Sequence, residues 1–361
     1  MTLAGQTLAG QTLAGQTLTG QTLAGQLRTI FLKEADPFTD IIGQAYVKRQ
    51  LASALIADRH TLIVGPPGIG KTTLAKNVAK LLTAIEVMDC SYHCLPNKPV
   101  CPECRNAKTK RKKKIAGLER FVRIQGSPDL TAEDLVGDID PVKALQFGPL
   151  SLEAFTPGKI FKANNGVLFF DELNRCPEKL QNALLQALQE RQVTIGSYDV
   201  EFEANFLFIA TMNPEDSSTE TIADVLLDRF DIVYMTYPES LDREAAIVER
   251  HGKKFVDFPQ KLLLHSLLFV RKLRESEKLE KFPSVRASIG IYERAQTNAL
   301  LDKKNAVDLL HVKDALISVL AHRIKLKPSA QYIQSPQEFI KEELRSFMKQ
   351  QGLDSSGDDV P

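Results

Sequence analysis

Nine residues, Gly65-Pro66-Pro67-Gly68-Ile69-Gly70-Lys71-Thr72-Thr73, constrain this chain more than any other stretch. They fit G-x-x-x-x-G-K-[ST], follow an apolar run from Thr61 to Val64 that reads as a buried strand, and lead into Thr72 to Leu82, which reads as a helix. A strand, a glycine-rich turn and a helix N-terminus in that order make an anion cradle. The turn's backbone N–H groups wrap phosphates, Lys71 offers a cation to the β- and γ-phosphates of a nucleotide such as ATP, and Thr72 offers a hydroxyl to Mg²⁺.

Three further apolar runs, Phe121 to Ile124, Val167 to Phe170 and Phe206 to Ala210, read as buried strands separated by helical stretches. That alternation predicts an α/β fold, a parallel sheet flanked by helices. The second run ends in Asp171-Glu172, two carboxylates at a strand end. Asp171 is placed to hold Mg²⁺ through its waters and Glu172 to polarise an attacking water, because phosphoryl transfer needs positioning and charge stabilisation above all. The third run ends in Thr211-Met212-Asn213-Pro214, which puts an amide at the same edge. Asn213 is either a water-orienting group or a turn-former before proline. Beyond Pro238 strand signals stop. Leu241 to His251, Lys261 to Leu279, Val285 to Leu301 and Val312 to Arg323 read as helices of a second, all-helical domain.

At the N-terminus, residues 2–26 are five copies of Thr-Leu-Ala-Gly-Gln, with Thr19 once in place of Ala. A five-residue period advances about 140° per leucine on a helix and alternates faces on a strand, so neither form gathers the leucines. The expectation is a segment without structure, set against one short piece of a pentapeptide solenoid. Gly and Gln interrupt it too often for a signal peptide, and no apolar run approaches the roughly 18–20 residues of a membrane span, so a cytoplasmic location without membrane contact is expected. The divisions expected are 1–26, repeat; 27–237, sheet domain; 238–345, helical domain; and 346–361, flexible tail.

Taken together, these motifs resemble the AAA+ ATPases. Arg123-Ile124-Gln125-Gly126-Ser127-Pro128-Asp129-Leu130, Val136 to Asp140, Phe155 to Ile160, Asp171-Glu172-Leu173-Asn174-Arg175 and Leu227-Asp228-Arg229-Phe230-Asp231 narrow the likeness to the MoxR and magnesium-chelatase ATPase-subunit clade over about residues 36–327. The resemblance implies an AAA+ P-loop core followed by a helical lid. It identifies Lys71 and Thr72 with Walker A, Asp171 and Glu172 with Walker B, Asn213 with sensor 1 and Arg286, in Pro283-Ser284-Val285-Arg286-Ala287, with sensor 2. It also identifies Arg229 with the arginine finger that reaches a neighbouring subunit's ATP, which implies a ring, most often a hexamer. Surface or structural ion pairs are the alternative for both arginines. Residues 134–160 match an insert that projects into the ring's pore, and Gln192 to Phe202, folded about Gly196-Ser197, match a hairpin beside it. The implied activity is Mg²⁺-dependent ATP hydrolysis that remodels or activates a partner, of the kind carrying a von Willebrand factor A (VWA) domain. A motor subunit of a tetrapyrrole metal chelatase, or a nucleic-acid-binding ATPase like the MCM proteins, are the other two readings.

One insertion stands apart. Cys90, Cys94, Cys101 and Cys104 supply four soft ligands within fifteen residues, as a tetrahedral zinc site needs. A Cys₃His set using His93, an iron–sulfur cluster and reduced thiols are the alternatives; Cys176 reads as a small buried residue. Lys108, Lys110, Arg111, Lys112, Lys113 and Lys114 follow directly. They read either as a solvated helical run or as a contact for nucleic acid or an acidic partner. The net charge of +1 conceals this, since residues 90–114 hold eight Lys and Arg against one Glu, +7, leaving −6 for the rest.

Overall fold

The computed structural model describes residues 22–106, 111–148, 151–190, 192–195, 198–203, 205–214 and 222–352. Its first element corrects the division at residue 26. The last pentapeptide copy starts the helix Leu23–Lys33, with Thr22 as N-cap accepting from the Gly25 N–H at 3.1 Å. Leu23 is buried together with Leu27, four residues on and outside the repeat. One leucine therefore suffices where the following sequence supplies the rest of the apolar face. The other four copies lie outside the described residues.

Along the chain the strands are β1 (His60–Val64), β2 (Ile85–Met88), β3 (Lys112–Ile115), β4 (Phe121–Gln125), β5 (Gly137–Ile139), β6 (Phe155–Pro157), β7 (Gly166–Asp171), β8 (Gln192–Ile195), β9 (Tyr198–Glu203), β10 (Phe206–Met212) and β11 (Phe230–Tyr234). Five form a parallel sheet in the order β11-β1-β10-β7-β4. The three pairs β2–β3, β5–β6 and β8–β9 are antiparallel hairpins hung on it. The turn at Gly196-Ser197 lies outside the described residues.

Because the sheet is covered on both faces, its three inner strands β1, β10 and β7 are buried along nearly their whole length. Leu168 and Phe170 point to one side, with Phe208, Phe161, Leu184 and the buried cysteines Cys94, Cys101 and Cys104. Val167 and Phe169 point to the other, against Leu27, Leu51, Leu74 and Val78. All four apolar side chains of β7 are fully buried, on the order of 1.5–3 kcal/mol each. Cys176 is buried in the first of these layers.

The basic run is a strand where it is described, not a helix. β3 pairs with β2 in the register Glu86↔Lys114 and Met88↔Lys112, with Val87 and Ile115 buried as anchors. Lys112 pairs with Glu86 at 2.9 Å and Lys113 with Asp89 at 3.0 Å. Cross-strand pairing of opposite charges overrides the helix preference of lysine. Lys108 and Lys110 lie outside the described residues.

After Pro238 come the helices Leu241–His251, Gln260–Arg274, Val285–Leu301, Leu309–Leu320 and Pro336–Gln350. Two expectations need correcting here. The domain is not wholly helical, since β12 (Leu279–Lys281) and β13 (Lys325–Leu326) form a short antiparallel pair that ends the second helix early. The last helix also runs past residue 345, capped by Ser335 with Glu338, and buries Phe347 and Met348.

At the centre of this domain's polar packing is Glu244, wholly buried on the first of its helices. Its carboxylate accepts from Arg274 at 2.7 and 2.8 Å and from Ser288 Oγ at 2.8 Å, and Arg271 approaches to 3.3 Å. Burial alone raises this carboxyl, but the two guanidinium groups and Ser288 bring it below its ordinary value. Arg271 also donates to the carbonyl of Pro238, in the connection between the domains, at 2.9 Å. Among the described residues, no helix is long and apolar enough to cross a membrane.

Candidate functional site

With every strand of the sheet parallel, the carboxyl ends of β1, β4, β7 and β10 share one edge, where ligands of open α/β sheets bind. A cavity of about 370 Å³ opens there. Pro67 to Thr73, Asp171, Glu172, Asn213 and Arg286 all line it, so six of the seven residues singled out for phosphate and water chemistry, counting Lys71 and Thr72, converge on one space.

Gly70 caps the helix Lys71–Leu81 with φ +102°, a conformation closed to most side chains. Lys71 Nζ donates to the carbonyls of Gly65 and Pro66 at 2.6 and 2.8 Å, which holds it across the turn. Thr72 Oγ1 lies 3.4 Å from Asp171 Oδ2. A hydroxyl and a carboxylate brought together from the two motifs are the oxygen donors that Mg²⁺ prefers alongside water and phosphate. The donor set therefore fits Mg²⁺.

The two carboxylates at the end of β7 are held differently. Asp171 is buried, accepting from Thr211 Oγ1 at 2.7 Å and Arg123 Nη2 at 2.6 Å. Glu172 adopts left-handed backbone, φ 58° and ψ 55°, unusual for a residue with a side chain. Its N–H donates to Thr211 Oγ1 at 3.0 Å, and its carboxylate accepts from Gln125 Nε2 at 3.0 Å and pairs with Arg175 at 3.3 Å. Gly126 makes this bend feasible, since a Cβ there would meet the Glu172 carbonyl at 2.0 Å.

Arg123, Gln125 and Thr211 are site residues that the sequence reading did not single out. Their signal was present in part: Arg123 and Gln125 alternate on β4, the strand beside β7, so period two brings both to one face at the same edge. The opposite wall was not legible. Ile41, Ile42, Ile247, Ile289, Asp40 and His251 come from segments up to 249 residues apart and make a largely apolar recess next to the P-loop. Arg286 is brought in from the lid, its Cγ 3.1 Å from where a Cβ on Gly68 would stand. Arg229 does not line the cavity. It follows the short helix Asp224–Leu227, half exposed, with Nη1 3.5 Å from Asp228 Oδ2.

A second cluster lies on the sheet's flank. The sulfurs of Cys90, Cys94, Cys101 and Cys104 all fall within 4.8 Å of one another, none is in a disulfide, and His93 is not part of the group. Backbone N–H groups of Val100 and Cys101 donate to Cys94 Sγ at 3.2 and 3.4 Å, and that of Cys104 to Cys101 Sγ at 3.3 Å. Thiol hydrogen bonds from Cys101 and Cys94 hold Cys90 well below an ordinary thiol, while burial pushes Cys104 up to about 12. This cluster can hold a metal ion. The neighbouring lysines are less available to phosphates than their number implies, since Glu86 and Asp89 already pair with two of them.

Comparison with known proteins agrees with this architecture. The family model for the ATPase family associated with various cellular activities (AAA) matches residues 101–232. An AAA lid domain matches 274–343, and magnesium chelatase, subunit ChlI, matches 37–94. The magnesium-chelatase subunit ChlI homolog of Methanocaldococcus jannaschii is 27% identical over 346 residues, covering 87% of this chain and 91% of its own. The magnesium-chelatase 38 kDa subunit of Acidiphilium rubrum is 28% identical over 324 residues, 81% of this chain and 92% of that one. A structure of the magnesium-chelatase subunits BchI and BchD aligns at 21% identity over 82% of this chain and 98% of that one, with a TM-score of 0.46.

Proposed function

Because the chain is an AAA+ ATPase related to the magnesium-chelatase ATPase subunits, we propose that it works as a ring, most often of six copies, whose ATP hydrolysis remodels or activates a partner protein. The observation that carries this reading is the split of the arginines. Arg286 lines the nucleotide cavity of its own chain, whereas Arg229 sits away from it, half exposed, as a group that serves a neighbour's ATP would.

In this reading Lys71 and the turn Gly65 to Thr73 bind the phosphates, while the recess of isoleucines takes the base. Thr72 and Asp171 would hold Mg²⁺, which when bound would supply positive charge to the phosphates. Glu172 takes the proton of the attacking water, which Asn213 orients, and Arg286 and the partner subunit's Arg229 stabilise charge on the transferred group. Gln125 and Arg175 hold Glu172 until it is needed. Cys90, Cys94, Cys101 and Cys104 would hold a zinc ion.

The partner's docking point is the insert around Pro141–Phe147. That helix buries none of its residues and exposes Val142, Leu145 and Phe147, an apolar patch suited to a protein contact, for which a VWA-domain protein is our candidate. Service as a chelatase motor is the narrower form of the same reading, supported by the identity of the relatives.

The test is Glu172→Gln. ATP hydrolysis should fall by about 10²-fold or more, on the order of 3 kcal/mol of barrier, with ATP affinity retained. Wild-type turnover per chain should fall on dilution. Normal hydrolysis by the variant would remove Glu172 from its role, and turnover independent of concentration would remove the ring.

A further inference from the structure

The cysteine cluster is not an appendage: its loop grips the end of the sheet opposite the nucleotide. We propose that one Zn²⁺ held by Cys90, Cys94, Cys101 and Cys104 locks the turn Ser91-Tyr92-His93 into a clamp that sets the amino ends of β4, β7 and β10. This rests on zinc as the occupant of the cluster.

Size and chemistry select the ion. A single Zn²⁺ about 2.3 Å from each sulfur brings tetrahedral sulfurs about 3.8 Å apart, within reach of the 4.8 Å limit observed. An iron–sulfur cluster puts several irons and sulfides between its thiolates and spreads them further. The N–H donors on Cys94 and Cys101 favour thiolate, the form that binds metal. Three of the four cysteines are buried in the same layer as Phe161, Leu168 and Phe170, so the ion would be sealed from water, as in a structural site.

The clamp consists of the two carbonyls between the first pair of ligands. Tyr92 O accepts from Asn164 Nδ2 at 3.1 Å, and His93 O accepts from Asn165 Nδ2 at 3.3 Å. His93 has φ 47°, a turn that Cys90 and Cys94 hold in place on either side. Asn164 and Asn165 directly precede β7, and they also join its neighbours. Asn165 N donates to Asn205 O at 2.6 Å, and Asn205 N donates to Asn164 Oδ1 at 3.1 Å, directly before β10. Asn165 O accepts from Nη1 of Arg120, the wholly buried residue directly before β4. The Tyr92 ring packs on Phe161 at 5.4 Å, which adds an apolar contact to the same junction.

Three adjacent strands thus start from one network of side-chain amides and a guanidinium, and this network is tied to two carbonyls of the metal loop. The same strands end at Gln125, Asp171 and Met212, at the edge that carries the P-loop cavity. A loop of fifteen residues with free thiols has many conformations, and one bound ion leaves few. Metal occupancy should therefore be read out as order at the amino ends of the strands.

The test uses the full chain. Metal analysis should find one zinc per chain, and Co²⁺ in its place should give the absorption of tetrahedral cobalt thiolate. Hydrogen exchange at Asn165 to Leu168 and Asn205 to Phe208 should speed up at least tenfold when zinc is removed by chelation. Asn164→Ala should keep its zinc and show the same acceleration, which separates the clamp from the metal even where the metal-free chain does not fold. Absence of zinc and of the cobalt spectrum overturns the whole proposal. Zinc bound with exchange unchanged in Asn164→Ala overturns the clamp alone. Either result leaves the ATPase reading to be judged by Glu172→Gln.

Discussion

The two edges of one sheet are built on opposite plans. At the carboxyl edge the chain leaves the strands in loops, and charged groups stand around an open cavity: Lys71, Asp171, Glu172, Arg123 and Arg286. At the amino edge the polar groups are buried and bonded largely to one another, with Asn164, Asn165 and Arg120 each less than a tenth exposed and only Nε of the Arg120 guanidinium left without a partner among the described residues. Groups at the carboxyl edge border an open cavity even where, like Lys71 and Asp171, little of them is exposed, whereas groups at the amino edge are sealed between strands where an unmade hydrogen bond is costly. Substitutions at the first edge should therefore change activity and those at the second should change stability.

The sharpest attempt to break this contrast is Glu244→Gln, at neither edge but under the connection between the domains. It leaves Arg274 and Arg271 without their buried carboxylate, so about 3–5 kcal/mol of stability should be lost in chemical unfolding. A parallel loss of ATP affinity would show that the lid, which brings Arg286, couples the two properties. The wild type should lose part of this contribution in acid. Glu244 lies below its ordinary value of 4.5 in the folded chain, so its stabilisation is present above that value and disappears as pH falls through the lower, folded one. Acid unfolding followed for wild type and Glu244→Gln should converge at low pH.

Next in size is Arg120→Met at the amino edge. The buried carbonyl of Asn165 and the partly buried one of Thr83 lose their donor, at a cost of about 1–3 kcal/mol for the first and less for the second. Stability should fall by that order while ATP affinity stays within about twofold, and an equal loss of affinity would erase the distinction between the edges. The smallest effect belongs to Arg123→Ala. Its pair with Asp171 is half exposed on the arginine side and worth up to about 1 kcal/mol. Removing a cation that competes for Asp171 should lower the Mg²⁺ concentration for half-maximal hydrolysis by up to about fivefold with melting temperature unchanged, and no shift would mean that the pair does not compete.

Legibility in the sequence followed the same division. Lys71, Thr72, Asp171, Glu172 and Asn213 were readable because each sits at a fixed offset from a buried strand, so local spacing decides where it ends up. Thr211, Gln125 and Arg123 were harder, because their roles depend on which strand lies next to which. The basic run misled because lysine favours helix in isolation, while Glu86 and Asp89 across the hairpin favour a strand. The start of the first helix misled because a leucine within a repeat was judged by the repeat's period rather than by Leu27 beyond it.

By itself the sequence determined a P-loop between a strand and a helix, the acidic end of a second strand, a helical domain after Pro238 and four cysteines spaced for a metal. These follow from contacts within a few residues, where backbone geometry leaves little choice. Only the tertiary structure decided that the apolar recess is completed by Ile247, Ile289 and His251 from the lid, that Arg229 does not line the P-loop cavity, and that the cysteine loop fastens the far edge of the same sheet. Those arrangements depend on strand order and domain packing, which are set by burial summed over the whole chain and leave no fixed spacing to read.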